Sequence, residues 1–172
     1  MIYTFDTEFL DAPAYGKPGI DLISIGLVCE DGREFYAETP RPDMWWSLDG
    51  SLAWLRENVR PHLTGPDAQL SHDELARQLQ LWVADGGGQP EFFAYVGAYD
   101  WVAMMSLFGP LIEKPAGWPM SYLEMKPAMR GWQEEMGFDP RSALVDAGEP
   151  DHHALADARQ NMRVLRVMGL VK

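Results

Sequence analysis

One cysteine, few basic side chains and no long apolar run are the first constraints this sequence imposes. Cys29 can form no internal disulfide, and its place in the run Leu22–Glu30 reads as that of a small buried hydrophobe, not an activated nucleophile. No stretch approaches the roughly 18 consecutive apolar residues of a membrane span, and the first residues lack the basic-then-apolar pattern of a signal peptide. No membrane contact and a cytoplasmic location are therefore expected. Lys and Arg together number 14 against 26 Asp and Glu, for a net charge of -12, which argues against gripping nucleic acid through a broad basic face. An acidic chain can still act on phosphodiesters if its carboxylates gather around divalent cations that bridge to phosphate.

The chain has 172 residues, 47% of them hydrophobic, enough for one domain, 1–172, around a continuous core. Ile2–Asp6 and Asp21–Cys29 read as strands, and the Asp31-Gly32 turn leads into a third, Arg33–Glu38, antiparallel to the second. Leu52, Leu55 and Val59 mark a helix over Leu48–Val59. Ser71 followed by Glu74 forms a capping box ahead of Leu75, Leu79 and Val83, and Gly86, Gly87 and Gly88 stop that helix. Glu91–Val96 reads as a buried strand, Tyr99–Phe108 as a helix and Gly109–Pro119 as a loop. A helix-rich piece that Pro127 interrupts or starts then runs to Met136. A last amphipathic helix follows Pro150 and ends at Gly169. The expected fold is α/β: a mixed five-stranded sheet, three antiparallel strands then parallel additions, flanked by helices, an outline that fits a ribonuclease H-like fold.

Three places could carry chemistry. Asp6 and Glu8, two apart in or just beyond an extended segment, project to one side while Thr7 points away. At about 4 Å and an effective dielectric near 20 such charges repel by roughly 4 kcal/mol, which protonation or a cation relieves. The plain alternative is a strand end facing water. Asp100 lies between a strand and a helical pattern, where it either complements a helix dipole or joins a neighbouring strand's carboxylates. In PDHHALADAR, His152 and Asp157 are five residues apart, about 500° of helical rotation, so the histidine must approach from the entry loop if the two act together. Alone, this is a polar helix start.

Together, DTEF at Asp6–Phe9, GAYD at Gly97–Asp100 and HHALADA at His152–Ala158 resemble the three exonuclease motifs of the DnaQ-like superfamily, DEDDh subgroup. The final motif matches a His-x-Ala-Leu-x-Asp pattern and selects His152. His153 falls on the variable position and reads as an exposed neighbour, with a supporting contact to substrate as the alternative. DTEF, SIG of Ser24–Gly26, EDGREFYA of Glu30–Ala37 and VGAYD of Val96–Asp100 are most similar to the actinobacterial polyadenylate-specific 3′-exoribonuclease AS family. Many DEDDh enzymes carry Asn where this chain has Gly97.

The resemblance implies a 3′→5′ exoribonuclease that releases nucleoside 5′-monophosphates from RNA 3′ ends, including single-stranded overhangs on a duplex. It implies two ions, Mg²⁺ or Mn²⁺, held by Asp6, Glu8, Asp100 and Asp157, with His152 as general base, in a homodimer. Thr7 and Phe9 flank the first carboxylates and are candidate contacts to the terminal nucleotide. A DNA exonuclease shares all these residues, and a non-catalytic nucleic-acid-binding module on the same fold is the alternative from another class. Phe9 and Trp101 are apolar enough to be core residues. Trp45 and Trp46 could stack on nucleic acid, seal a dimer interface or pack under a loop.

Overall fold

The structure is a computed structural model that describes residues 1–11, 19–41, 46, 51–144 and 148–172. Strands β1 (Ile2–Leu10), β2 (Asp21–Cys29), β3 (Glu34–Glu38), β4 (Glu91–Ala94) and β5 (Leu123–Glu124) form one sheet in the order β3-β2-β1-β4-β5. β1 pairs antiparallel with β2, and β2 with β3, whereas the β1–β4 and β4–β5 pairs are parallel. This is the mixed sheet expected from the sequence. The fifth strand is only two residues long, too short for any periodicity to reveal within the helix-rich piece assigned to that region.

Among the described residues five α-helices cover the sheet: α1 (Ser51–Asn58), α2 (His72–Asp85), α3 (Ala98–Ser106), α4 (Met125–Met136) and α5 (Ala154–Val167). α2 starts at its capping box, where Ser71 accepts from the Glu74 N–H at 3.3 Å, and buries Leu75, Leu79 and Val83 along one stripe. α1 ends at Asn58, with Val59 just past its end but fully buried, and positions 48–50 of the expected helix lie outside the described residues. α4 begins at Met125, and Pro127 sits in its first turn without interrupting it, where its missing N–H costs nothing. The Gly109–Pro119 stretch contains a 3₁₀ turn, Leu111–Glu113, closed by the Glu113 N–H donating to the Pro110 carbonyl.

The pleat sorts the core into layers. Tyr3, Phe5, Ile25, Leu27, Cys29 and Phe92 pack on one face against α2 and α3, with Trp101 beneath Phe5 and Phe92. Val28, on the other face, packs with Met125 and Met129 of α4 and Met162 and Leu165 of α5. A bulge at Ile23, where Glu8 pairs with Ser24 but Phe9 pairs with Leu22, breaks the alternation. Beyond it Leu22 rejoins the first face, while Ile23 and Leu10 turn to a third cluster under α1 with Leu52, Leu55 and Trp46. Trp46 is thus buried packing, with the Arg60 guanidinium 5.5 Å above its ring; Trp45 lies outside the described residues.

Candidate active site

β1 runs to Leu10, past the Asp6 limit read from the sequence, so both carboxylates of DTEF sit within regular strand. Asp6 and Glu8 face α5, and α5 comes unusually close. Thr4 Oγ1 donates to the Ala158 carbonyl at 2.7 Å. Gly26 lies opposite Asp6 in the ladder, and a Cβ there would stand 2.3 Å from the Leu155 nitrogen. The missing side chain lets the first turn of α5 rest on the strand and brings Asp157 to the carboxylate pair. One oxygen each of Asp6, Glu8 and Asp157 lies within 4.8 Å of the others.

Asp100 arrives from the opposite face. It stands in the first turn of α3, 7% exposed, and its Oδ1 accepts from both the Thr7 N–H at 3.0 Å and the Thr7 hydroxyl at 2.6 Å. The alternation that aims Asp6 and Glu8 at α5 aims Thr7 at α3. Asp100 therefore neighbours the three-acid group without belonging to it. Thr7, read from the sequence as a candidate nucleotide contact, donates both its N–H and its hydroxyl to Asp100.

The electrostatics are those of crowded, poorly hydrated anions. Burial, then the charges of Asp100, Asp157 and Glu8, pushes Asp6 well above the ordinary carboxylate range. Burial, then Asp157 and Asp100, raises Glu8 to about 8. Burial raises Asp157 to about 6, opposed by His152. Asp100 is also raised by burial, against the lowering effect of the Thr7 hydrogen bonds. Among the described residues no Lys or Arg forms an ion pair with Asp6, Glu8 or Asp157. Three clustered all-oxygen donors with no Lys or Arg paired to them among the described residues fit a hard divalent cation such as Mg²⁺ or Mn²⁺.

His152 precedes α5 with a left-handed φ of 58°, a conformation rare for a side chain of this size. It does approach from the entry loop, packing edge-to-face against Trp54 with centroids 4.7 Å apart. With Asp6, Asp157, Tyr95 and Arg141 it lines a cleft of about 450 Å³. Glu8 and Phe9 line a second cleft of similar volume, about 450 Å³, with Trp54 and Leu55. Phe9 stacks on Tyr99 at 5.8 Å, whereas Trp101 belongs to the core.

His153 is not an exposed neighbour. It is the N-cap of α5, its Nδ1 accepting from the Ala156 N–H at 3.3 Å, and its ring stacks on Tyr36 of β3 at 4.7 Å. An i to i+3 cap was legible in principle, but the cross-strand partner was not. Glu124 is a further residue that motif reading missed. Its carboxylate accepts from the Val96 and Gly97 amides at 2.8 and 3.2 Å and from Lys126 at 3.0 Å, tying the entry of α3 to the start of α4. A Cβ at Gly97 would stand 2.3 Å from Ala94 Cβ, so this backbone has no room for an Asn there.

The sheet order and its helical cover define a ribonuclease H-like fold. Among solved structures, Pop2p of S. pombe in its Mg²⁺- and Mn²⁺-bound form superposes with a TM-score of 0.61 over 95% of this chain and 81% of that one, at 14% identity. The RNase domain of yeast Pop2 gives 0.57 over 98% and 76%, at 13% identity, and both likenesses are of fold. Residues 1–168 match the Rv2179c-like 3′-5′ exoribonuclease domain, and the chain belongs to that family. The 3′-5′ exoribonucleases Rv2179c and MT2234.1, from the H37Rv and CDC 1551 strains of Mycobacterium tuberculosis, are each 35% identical over 173 residues, covering 98% of this chain and 93% of the relative.

Proposed function

We propose that this 3′-5′ exoribonuclease, acting as a single domain over residues 1–172, removes nucleoside 5′-monophosphates from RNA 3′ ends by metal-dependent hydrolysis. The observation that carries this reading is the convergence of Asp6, Glu8 and Asp157 within 4.8 Å, beside a cleft that His152 also lines. Asp6, Glu8 and Asp157 would hold one Mg²⁺ or Mn²⁺, and Asp6 with Asp100 a second. When bound, such ions supply the charge neutralisation and Lewis acidity that phosphodiester hydrolysis requires. His152 accepts the proton of the attacking water; its place on the entry loop, outside the helical ladder, lets the ring reach the cleft. Phe9, with Tyr99 behind it, offers an aromatic face to the terminal nucleotide.

The same reading includes single-stranded 3′ overhangs on duplex RNA, a cytoplasmic enzyme and a homodimer. The dimer is supported by exposed apolar side chains such as Ile112, Met120 and Val102. Among the described residues no helix is long and apolar enough to cross a membrane. The test is a time course on 5′-labelled RNA and DNA of one sequence, with Mg²⁺, Mn²⁺ or EDTA, beside Asp6→Ala. A one-nucleotide ladder on RNA that EDTA and Asp6→Ala abolish is expected. Faster cleavage of DNA, or binding without cleavage, would overturn the assignment.

A further inference from the structure

The cleft beside Asp6, Asp157 and His152 also holds Asp151, and Arg141 is the sole Lys or Arg among its described lining residues. The acidic side chains of this lining, Asp6, Asp151 and Asp157, would repel a polyanion, so the guanidinium is conspicuous, and its pose is built rather than incidental. Gly137, in a left-handed conformation, ends α4, and Pro140, buried, anchors the turn that follows. Asp139 caps that turn by accepting from the Arg141 N–H at 2.8 Å. The same carboxylate binds the side chain, with Nε at 3.1 Å from both oxygens and Nη2 at 2.6 Å from Oδ2. The guanidinium carbon lies 5.2 Å from the centroid of the Tyr95 ring, which supports its face. Tyr95 is its other side-chain partner, and the Arg141 side chain is still 45% exposed. By contrast, all three guanidinium nitrogens of Arg159 are bonded to Glu34 or Glu149.

We infer that Arg141 binds a backbone phosphate of the RNA strand upstream of its 3′-terminal nucleotide, through the solvent-facing edge of its guanidinium. Asp139 and Tyr95 hold the planar fork ready, so little side-chain entropy is lost when phosphate arrives. The inference rests on the exonuclease reading for its polarity. Phe9 and Glu8 line one cleft and Arg141 the other, with the three-acid group between them. If the terminal nucleotide sits by Phe9, the rest of the strand leaves past Arg141. The ions required for hydrolysis serve the scissile phosphate, leaving the next phosphate to a protein cation.

The test compares wild type, Arg141→Ala and Arg141→Lys, each checked for folding by thermal melt. Substrates are a 5′-labelled single-stranded RNA decamer and a nucleoside 5′-p-nitrophenyl phosphate, which has no upstream phosphate, both in Mn²⁺. Fluorescence anisotropy of the labelled decamer in EDTA measures binding without turnover. One charge-assisted hydrogen bond predicts that Arg141→Ala raises KM on the decamer about tenfold more than on the ester, with partial restoration by Lys. Binding should weaken similarly and depend less steeply on salt. Equal losses on both substrates, or unchanged decamer binding, would overturn the inference while leaving the exonuclease reading intact. Arg141-dependent binding by a wild type that cleaves neither substrate would sink that reading and support the phosphate contact.

Discussion

Thr7 holds Asp100 with two hydrogen bonds to a single carboxylate oxygen, the hydroxyl at 2.6 Å and the amide at 3.0 Å. The strand that contributes two acids from one face thus positions a third acid from the other. Thr7→Val keeps shape and β-propensity but removes one donor to a buried carboxylate, a loss of about 1–3 kcal/mol. We expect kcat to fall by about tenfold or more with little change in KM, and Thr7→Ser to recover most of it. Parallel kinetics on the two variants check this, and a wild-type kcat for Thr7→Val would remove Thr7 from the site.

The raised acids give metal-free protein a particular pH dependence. Glu8 has an ordinary value of 4.5 and stands at about 8 in the fold; Asp157 has 3.8 and stands at about 6. Between each pair of values the native state binds more protons than the unfolded chain, so stability is complete below the ordinary value and lost as pH rises through the folded one. In EDTA the melting temperature should therefore drop between pH 5 and pH 8, by on the order of 5 °C. Mn²⁺ at pH 8 should restore it by preferential binding to the native state. Glu8→Gln should flatten the EDTA profile and blunt the Mn²⁺ effect, which melts across that pH range would show.

His153 and its neighbour His152 have different tasks although they are adjacent. Loss of the cap in His153→Ala should cost about 1 kcal/mol of stability. Because the cap fixes the turn that presents His152 at a left-handed φ, kcat should fall as well. His153→Asn, whose side-chain oxygen can accept from the Ala156 N–H, should regain stability and most of the rate. His152→Asn should melt like wild type and remain inactive. If His153→Asn and His153→Ala are equally slow, the ring stack on Tyr36 matters more than the cap.

Gly26→Ala tests the approach of α5 to the sheet. The new Cβ would lie 2.3 and 2.4 Å from backbone atoms of Leu155 and Ala154, which have no soft route of escape. The first turn of α5 must lift, carrying Asp157 from Asp6. We expect a lower melting temperature and at least tenfold weaker Mn²⁺ binding by calorimetry, whereas Gly131→Ala, which meets no neighbour, should leave both unchanged.

Most of the sheet and the site were legible because they are local. Asp6 and Glu8 share a face by strand pleat, and the His152-to-Asp157 spacing required an entry-loop histidine. Contacts between distant segments were not legible. Nothing in DTEF says that Thr7 will meet Asp100, 93 positions away, and nothing in HHALADA says that His153 will stack on Tyr36. β5 escaped because two residues carry no period, and Glu124 because a carboxylate bonded to main-chain amides belongs to no motif. SIG pointed to a family, but the reason for its glycine, helix backbone against strand backbone, needed three dimensions.

The bulge at Ile23 divides β1 into two independently adjustable parts. Up to Glu8 the ladder locks Asp6 and Glu8 opposite Gly26 and Ser24; beyond it Phe9 and Leu10 follow a separate register with Leu22 and Asp21. A one-residue insertion on the far side would re-aim the aromatic face offered to an incoming strand end while leaving the carboxylates where they are. The part proposed to choose what enters can thus be retuned without touching the part proposed to break the bond.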